Sequence, residues 1–429
     1  MTKLKLINSL ILFFWWLIFN PGFYSIDSIG VISMAKEGPL NSTATAIWAI
    51  FVKLLTLNGA HPEFATLFFS QLLAFSIATF THTFLKSKHM LWSSGLICVT
   101  PLVGAMGITL WHDIPMASGF LLAAVGFQKL KNREHHALIF LSTGFLFSSF
   151  RYNGLPTLLV TLIILFFLRQ DRKVVATATC ILLVIGGITS GLNSKFNPSI
   201  PTQADGFINW MRYDLSCYAA NSKNELFFKK EFDNTSSLQD WSSQDSCTWF
   251  NKSAAFQNRS AFVDDRIPNA WMQLLTTEPF FILTTHLHRN AYLNPLPIYG
   301  APSMPFIHTT IERADEGIRF LNPSLTEKAR FYPRIWNYFN FFFGYSGLWL
   351  LMIFVIAFWK RSSIYFGLGL LGLVLSSGLF IFAIISDGRF TLFTLIVGQL
   401  LTLDIILNKT ASNLRIRQLL KSRRYRSFE

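Results

Sequence analysis

Charge is scarce in this 429-residue chain: only 14% of residues are Asp, Glu, Lys or Arg, against 51% hydrophobic, with 44 Phe and a mean hydropathy of +0.39. That deficit excludes an ordinary soluble globular domain, whose surface needs about a quarter of its residues charged. The sequence also lacks GxGxxG, a Walker sequence, CxxC and HExxH, so nucleotide, zinc-finger and zincin chemistry find no support in it. There is no repeat or low-complexity segment, and no small-residue cleavage site precedes Asn20-Pro21-Gly22. The first apolar run therefore reads as a retained helix and not as a signal peptide.

Apolar runs approaching the roughly 20 residues needed to cross a bilayer recur between short charged breaks. The net charge of +14 lies in those breaks: residues 193 to 335 hold 14 Lys+Arg and 14 Asp+Glu, leaving 23 of the 37 basic but only 9 of the 23 acidic residues elsewhere. A nucleic-acid binder concentrates its basic residues in a folded soluble part. Here the pattern is that of cytoplasmic loops carrying Lys and Arg, and nucleic acid is excluded as a partner.

With those loops as marks, spans are expected near 5–20, 64–85, 91–110, 114–128, 136–150, 155–168, 174–192, 339–359, 363–385 and 390–407. The fold class is thus an all-α polytopic membrane protein with about ten transmembrane helices. Both termini fall on the cytoplasmic side. Ala44 to Leu57 is too short and carries Lys53, so it reads as an interfacial helix in the first outer loop. The domains expected are an N-terminal transmembrane module over 1–192, an extracytoplasmic α or α+β domain over 193–338, C-terminal helices over 339–410 and a basic cytoplasmic tail over 411–429. The 193–338 insert has Trp210, Trp241, Trp249 and Trp271 for a core and an amphipathic helix from about Pro268 to Asn290. Cys98 and Cys180 fall in apolar spans as packing residues. Cys217 and Cys247 share the insert, where a disulfide and two free thiols fit the sequence equally well.

Candidate chemistry gathers on the predicted outer face. Asp27 follows the first span by a few residues, and the loop Leu110-Trp-His112-Asp113-Ile-Pro115 is so short that Asp113 must sit at a helix end. Two carboxylates at one cleft can divide labour, one taking a proton and one orienting a partner; the plainer reading is that each caps a helix. Arg151, in Phe-Arg-Tyr-Asn-Gly (150–154), and Arg389, in Ser-Asp-Gly-Arg-Phe (386–390), break the charge rule at span ends. A guanidinium there suits a phosphate, while the plainer reading is a side chain snorkelling to headgroups. Tyr152 and Asn153 follow Arg151 as further candidate substrate contacts, and His61 stands before the second span as another or as a surface residue. His286 and His288 are two apart and so not on one helical face; no metal site is expected there.

With Asp27, the interfacial helix, Trp-His-Asp-Ile-Pro (111–115) and Phe-Arg-Tyr-Asn-Gly (150–154) in place, the chain resembles the GT-C superfamily of membrane glycosyltransferases, in particular bacterial members that decorate surface polysaccharides such as O-antigen. The resemblance covers the topology of most of the chain and not the insert. It implies inverting transfer of a sugar from a polyprenyl-phosphate-linked donor to a surface glycan or glycolipid acceptor, at the outer face of a bacterial inner membrane. Asp27 is then the general base. Asp113, with His112, positions the acceptor or a divalent cation, and Arg151 and Arg389 hold the departing phosphate. The second motif carries one Asp where some relatives have an acidic pair, which leaves open a weakly held Mg or Mn or no ion, with Asp113 and His112 the only ligand candidates. The rival expectation is a transporter or flippase for lipid-linked sugars; the absence of an inverted repeat speaks against it.

Overall fold

The computed structural model describes residues 1–38, 45–85, 87–168, 171–196, 202–222, 224–232, 238–242, 247, 266–293, 309–312, 317–339, 343–382 and 391–426. About 81% of the structure is helical, and among the described residues there is no strand. The first half runs α1 (Thr2–Ile18), α2 (Ile26–Glu37), α3 (Ala46–Leu55), α4 (Pro62–Phe84), α5 (Met90–Val99), α6 (Pro101–Gly107), α7 (Asp113–Lys131), α8 (Ala137–Ser148), α9 (Gly154–Phe167) and α10 (Arg172–Phe196). Then come α11 (Thr202–Ser222), α12 (Ile267–Thr277), α13 (Pro279–Arg289), α14 (Ser346–Trp359), α15 (Ser363–Phe382) and α16 (Leu392–Arg426), with shorter helices between them.

Among the described residues, four helices are long and apolar enough to cross a membrane: Pro62–Phe84, Arg172–Phe196, Ser363–Ile381 and Leu392–Lys409. A fifth span forms if α5 and α6 are taken together, bent by 64°. The continuous helix expected over 91–110 is therefore broken, and the reason is local: Pro101 has no N–H to give the preceding turn, and Thr100 caps the new helix by accepting from Val103 N–H at 3.5 Å. The single helix expected over 268–290 is likewise two, because Pro279 interrupts it after Glu278. The helix expected to start at 339 starts at Ser346. Cys98 is buried as expected, but Cys180 is exposed on the outside of α10 and is not a packing residue.

The tightest packing in the bundle is the α7–α8 hairpin. A Cβ on Gly119 would lie 2.5 Å from Ser148 N, one on Gly126 2.5 Å from Leu141 N, and one on Gly144 would strike Ala123 N. Three positions without side chains thus let two backbones touch along their length. The hairpin brings the start of α7 beside the end of α8, which places residue 113 next to residue 151.

A second, smaller core belongs to the insert, where Trp210, Phe228, Trp241, Trp271 and Leu274 pack together. Cys217 and Cys247 form a disulfide across it. The described part of the insert is mostly helical and has no strand, so of the α or α+β expectation the α form fits these residues. Asp214, fully buried on α11, accepts from Arg289 Nη1 and Trp271 Nε1 and bonds with His286 Nε2, each at 2.9 Å. His286 Nδ1 lies 2.8 Å from the carbonyl oxygen of Phe380, at the end of α15. The same histidine that bonds the insert's buried carboxylate thereby ties it to the apolar bundle.

Candidate active site

The site grows from a short extended piece after α1. Phe23 N–H donates to Ile108 O at 3.2 Å and Leu110 N–H to Phe23 O at 3.1 Å, while Tyr24 pairs on its other side with Thr310 and Glu312. The approach needs Gly22, which has φ +114° and whose Cβ would stand 2.5 Å from Ile108 O. Residues 22–24 are thus held between the loop that leads to Asp113 and a segment of the insert.

Ser25 then starts α2. Its hydroxyl accepts from Ser28 N–H, and Ser25 N–H donates back to the Ser28 hydroxyl at 3.1 Å, a closed capping box. Asp27 lies in the first turn and is exposed, so it is not the cap; a carboxylate there is still favoured by the N-terminal end of the helix dipole. Trp111 Nε1–H donates to Ser25 Oγ at 2.7 Å, and the Ser28 hydroxyl to Leu110 O at 2.8 Å. These two bonds hold the first turn of α2 to the loop that leads into α7.

Asp113 opens α7 at 0% exposure and forms an ion pair with Arg151 Nη1, whose side chain is 17% exposed. His112 Nε2 lies 3.9 Å from the other carboxylate oxygen. Asp113 is therefore not merely a helix cap: its charge faces a guanidinium, the arrangement a buried carboxylate requires. The cluster is roofed by α3, where the Thr45 hydroxyl donates to Phe150 O at 3.0 Å and Trp48 packs against both Phe150 and His112. Asn193, at the end of α10, accepts from Ala46 N–H at 2.7 Å and fixes that roof.

Of the residues singled out in the sequence, His112, Asp113 and Arg151 come together, and Asp27 is joined to them through its helix. Asn153 begins α9 with its carboxamide oxygen buried and without a hydrogen-bond partner among the described residues, and Tyr152 is exposed beside it. His61 is not drawn in: it bonds Glu63 at 3.0 Å and stacks on Phe64, half exposed. Arg389 lies outside the described residues. Comparison with protein-family models, with curated proteins and with solved structures found no match for the chain. What the site can do rests on its own geometry.

The donors this site offers a divalent cation are Asp113 and His112. Magnesium and manganese take oxygen ligands carrying net negative charge, but here the one buried carboxylate already faces a guanidinium, and its neighbour is an imidazole. Among the described residues no three His, Cys, Asp or Glu side chains gather. The arrangement suits anion binding instead. A guanidinium has five N–H donors in a fixed fork, so a carboxylate that grips one edge of Arg151 orients the rest. The sequence did not foretell the roles of Ser25, Trp111, Thr45 or Asn193. The one local signal was the Ser25-x-x-Ser28 spacing ahead of an apolar run, which resembles a capping box.

Proposed function

We propose that the chain is a membrane glycosyltransferase of the GT-C kind, moving a sugar from a polyprenyl-phosphate donor to a glycan or glycolipid acceptor with inversion at the anomeric carbon. One observation carries this: an exposed carboxylate, Asp27, stands on a helix whose first turn is bonded to the turn that presents the Asp113–Arg151 pair. A solvent-exposed carboxylate as base and a cation held by a buried carboxylate are the two parts such a transfer needs.

In the step proposed, the acceptor hydroxyl attacks the anomeric carbon as Asp27 takes its proton. The carbon–oxygen bond to phosphate breaks on the opposite face, and polyprenyl phosphate leaves with the electron pair. Arg151 stabilises the charge on the departing phosphate, Asp113 fixes the guanidinium's direction, and His112 borders the acceptor. A phosphate monoester needs no proton to leave, so no general acid is required. Asp27 afterwards loses its proton to water.

The location proposed is a bacterial inner membrane crossed about ten times, with both termini cytoplasmic and the insert outside. In this reading α1, α4, α5 with α6, α7, α8, α9, α10, α14, α15 and α16 are the crossings. At 1.5 Å per residue, α7 is about 28 Å long, close to the hydrocarbon thickness. The disulfide Cys217–Cys247 supports an oxidising compartment for the insert, and the excess of Lys and Arg supports a cytoplasmic opposite end. The test is surface-glycan mass spectrometry in a deletion strain complemented with wild type or Asp27→Asn. A sugar restored by the first and not the second supports the reading; equal restoration overturns the role of Asp27.

A further inference from the structure

Opposite the Asp113 end, the bundle does not close on itself. Helices α4, α7, α8, α9 and α15 border a half-open cleft of about 90 Å³. Its walls are apolar, formed by Phe84, Phe127, Leu158, Leu162, Leu165 and Leu371. Packed interiors leave few voids larger than a water molecule, and ligand sites combine apolar walls with a few placed polar groups. Gly367 on α15 lines the cleft, and a Cβ built there meets nothing within 4 Å. Water gains little from such walls, since it needs two to four polar partners. A hydrocarbon chain suits them.

The mouth is polar and consists of opposite charges side by side. Lys131 Nζ, at the end of α7, lies 2.6 Å from Asp171 Oδ2, at the start of α10, and their side chains are 34% and 36% exposed. Ser363, at the start of α15, borders the same opening. A headgroup bearing only negative charge meets Asp171, and one bearing only positive charge meets Lys131. A headgroup with a phosphate and a primary ammonium satisfies both, each by a charge-assisted hydrogen bond.

We propose that this cleft is a binding site for a zwitterionic aminophospholipid, with one acyl chain between α9 and α15, its phosphate on Lys131 and its ammonium on Asp171. The inference stands apart from the sugar-transfer reading, because the cleft shares no residue with the Asp27–Asp113–Arg151 site. It gives the bundle a fixed lipid at the end opposite Asp113.

The experiment uses the full chain in lipid nanodiscs containing phosphatidylethanolamine with a diazirine in its acyl chain. Labelled peptides are mapped by mass spectrometry after irradiation. Labelling is expected within residues 158–165 and 364–371, and Gly367→Leu, whose Cβ has open space and whose side chain would enter the cleft, is expected to lower it at least fivefold at an unchanged Tm. Ala124→Leu, on the facing wall of α7, is the parallel variant should the first unfold. The double variant Lys131→Gln/Asp171→Asn is expected to abolish preference for phosphatidylethanolamine over phosphatidylglycerol. Labelling that both filling variants leave intact overturns the site. So does equal labelling of the wild type by phosphatidylglycerol, or by a polyprenyl phosphate carrying the same diazirine.

Discussion

Trp111 and Ser25, 86 residues apart, meet in a hydrogen bond of 2.7 Å between the indole N–H and the seryl hydroxyl. The bond joins the turn that carries the proposed base to the turn that carries Asp113, the partner of the proposed phosphate ligand Arg151. Trp111→Phe keeps an aromatic ring and removes the donor. It is expected to cost about 1 kcal/mol of stability and at least about tenfold in transfer rate, since small misplacements of reacting groups are costly. Thermal unfolding and initial rates on the same sample check both. An unchanged rate would separate α2 from the chemistry.

Asp113 and Arg151 are expected to behave as a unit. Arg151→Met leaves a buried carboxylate uncompensated, with a loss of about 3–5 kcal/mol. The double variant Asp113→Asn/Arg151→Gln removes both charges and is expected to recover most of that stability while transfer stays absent. A double-mutant cycle in detergent denaturation reads the coupling. Additive losses would mean that the pair is not coupled in the folded protein.

The α7–α8 glycines are expected to matter to the site although none touches it. Gly144→Leu places a side chain against the backbone at Ala123 and must spread the hairpin, at a cost of about 1–3 kcal/mol or more. Cysteines introduced at Ile114 and Phe150 would then cross-link less readily than in the parent background, which measures the separation at the site end.

The insert is expected to be stable to acid down to about pH 4 and to weaken below it. Burial alone would raise the Asp214 carboxyl, but Arg289 and the bonds from His286 and Trp271 outweigh it and hold the group below its usual 3.8. Its folded value lies under its unfolded one, so the stabilisation is present above the unfolded value and fades as pH falls through the folded one. Asp214→Asn is expected to flatten that dependence, followed by tryptophan fluorescence of Trp210 and Trp271. Reduction of the disulfide, which closes a loop with a separation of 30 residues, is expected to cost about 3–4 kcal/mol on the chain-entropy model.

Much of the helical layout was legible because lipid forces long apolar runs and charged breaks onto the sequence: α4, α7, α10 and α15 begin and end within a few residues of expectation. The breaks at Pro101 and Pro279 were less so, since a proline can open a helix or kink one and its neighbours decide. At the site, Asp113 and Arg151 stood out as charges at the ends of apolar runs, and the glycines that bring them together are the physical reason they meet. The bonds of Trp111 to Ser25 and of Asn193 to Ala46 were not legible. They join residues 86 and 147 positions apart, and no local pattern specifies which hydroxyl an indole will find. The Asp214–Arg289–His286 network was hidden for the same reason, since the spacing of His286 from His288 says nothing of a carboxylate on another helix.

Sugar transfer itself is tested most directly with the purified protein in liposomes, supplied with a radiolabelled polyprenyl-phosphate sugar and a surface-glycan acceptor, with wild type and Asp27→Asn compared. Asp27 is exposed on a helix capped by Ser25, so the variant should keep its fold and its circular dichroism. Label is expected to move to the acceptor with the wild type, insensitive to chelators, and to do so about a hundredfold or more slowly without the base. Transfer by Asp27→Asn at the wild-type rate, or label carried across the bilayer still attached to its lipid, would refute the proposed reaction.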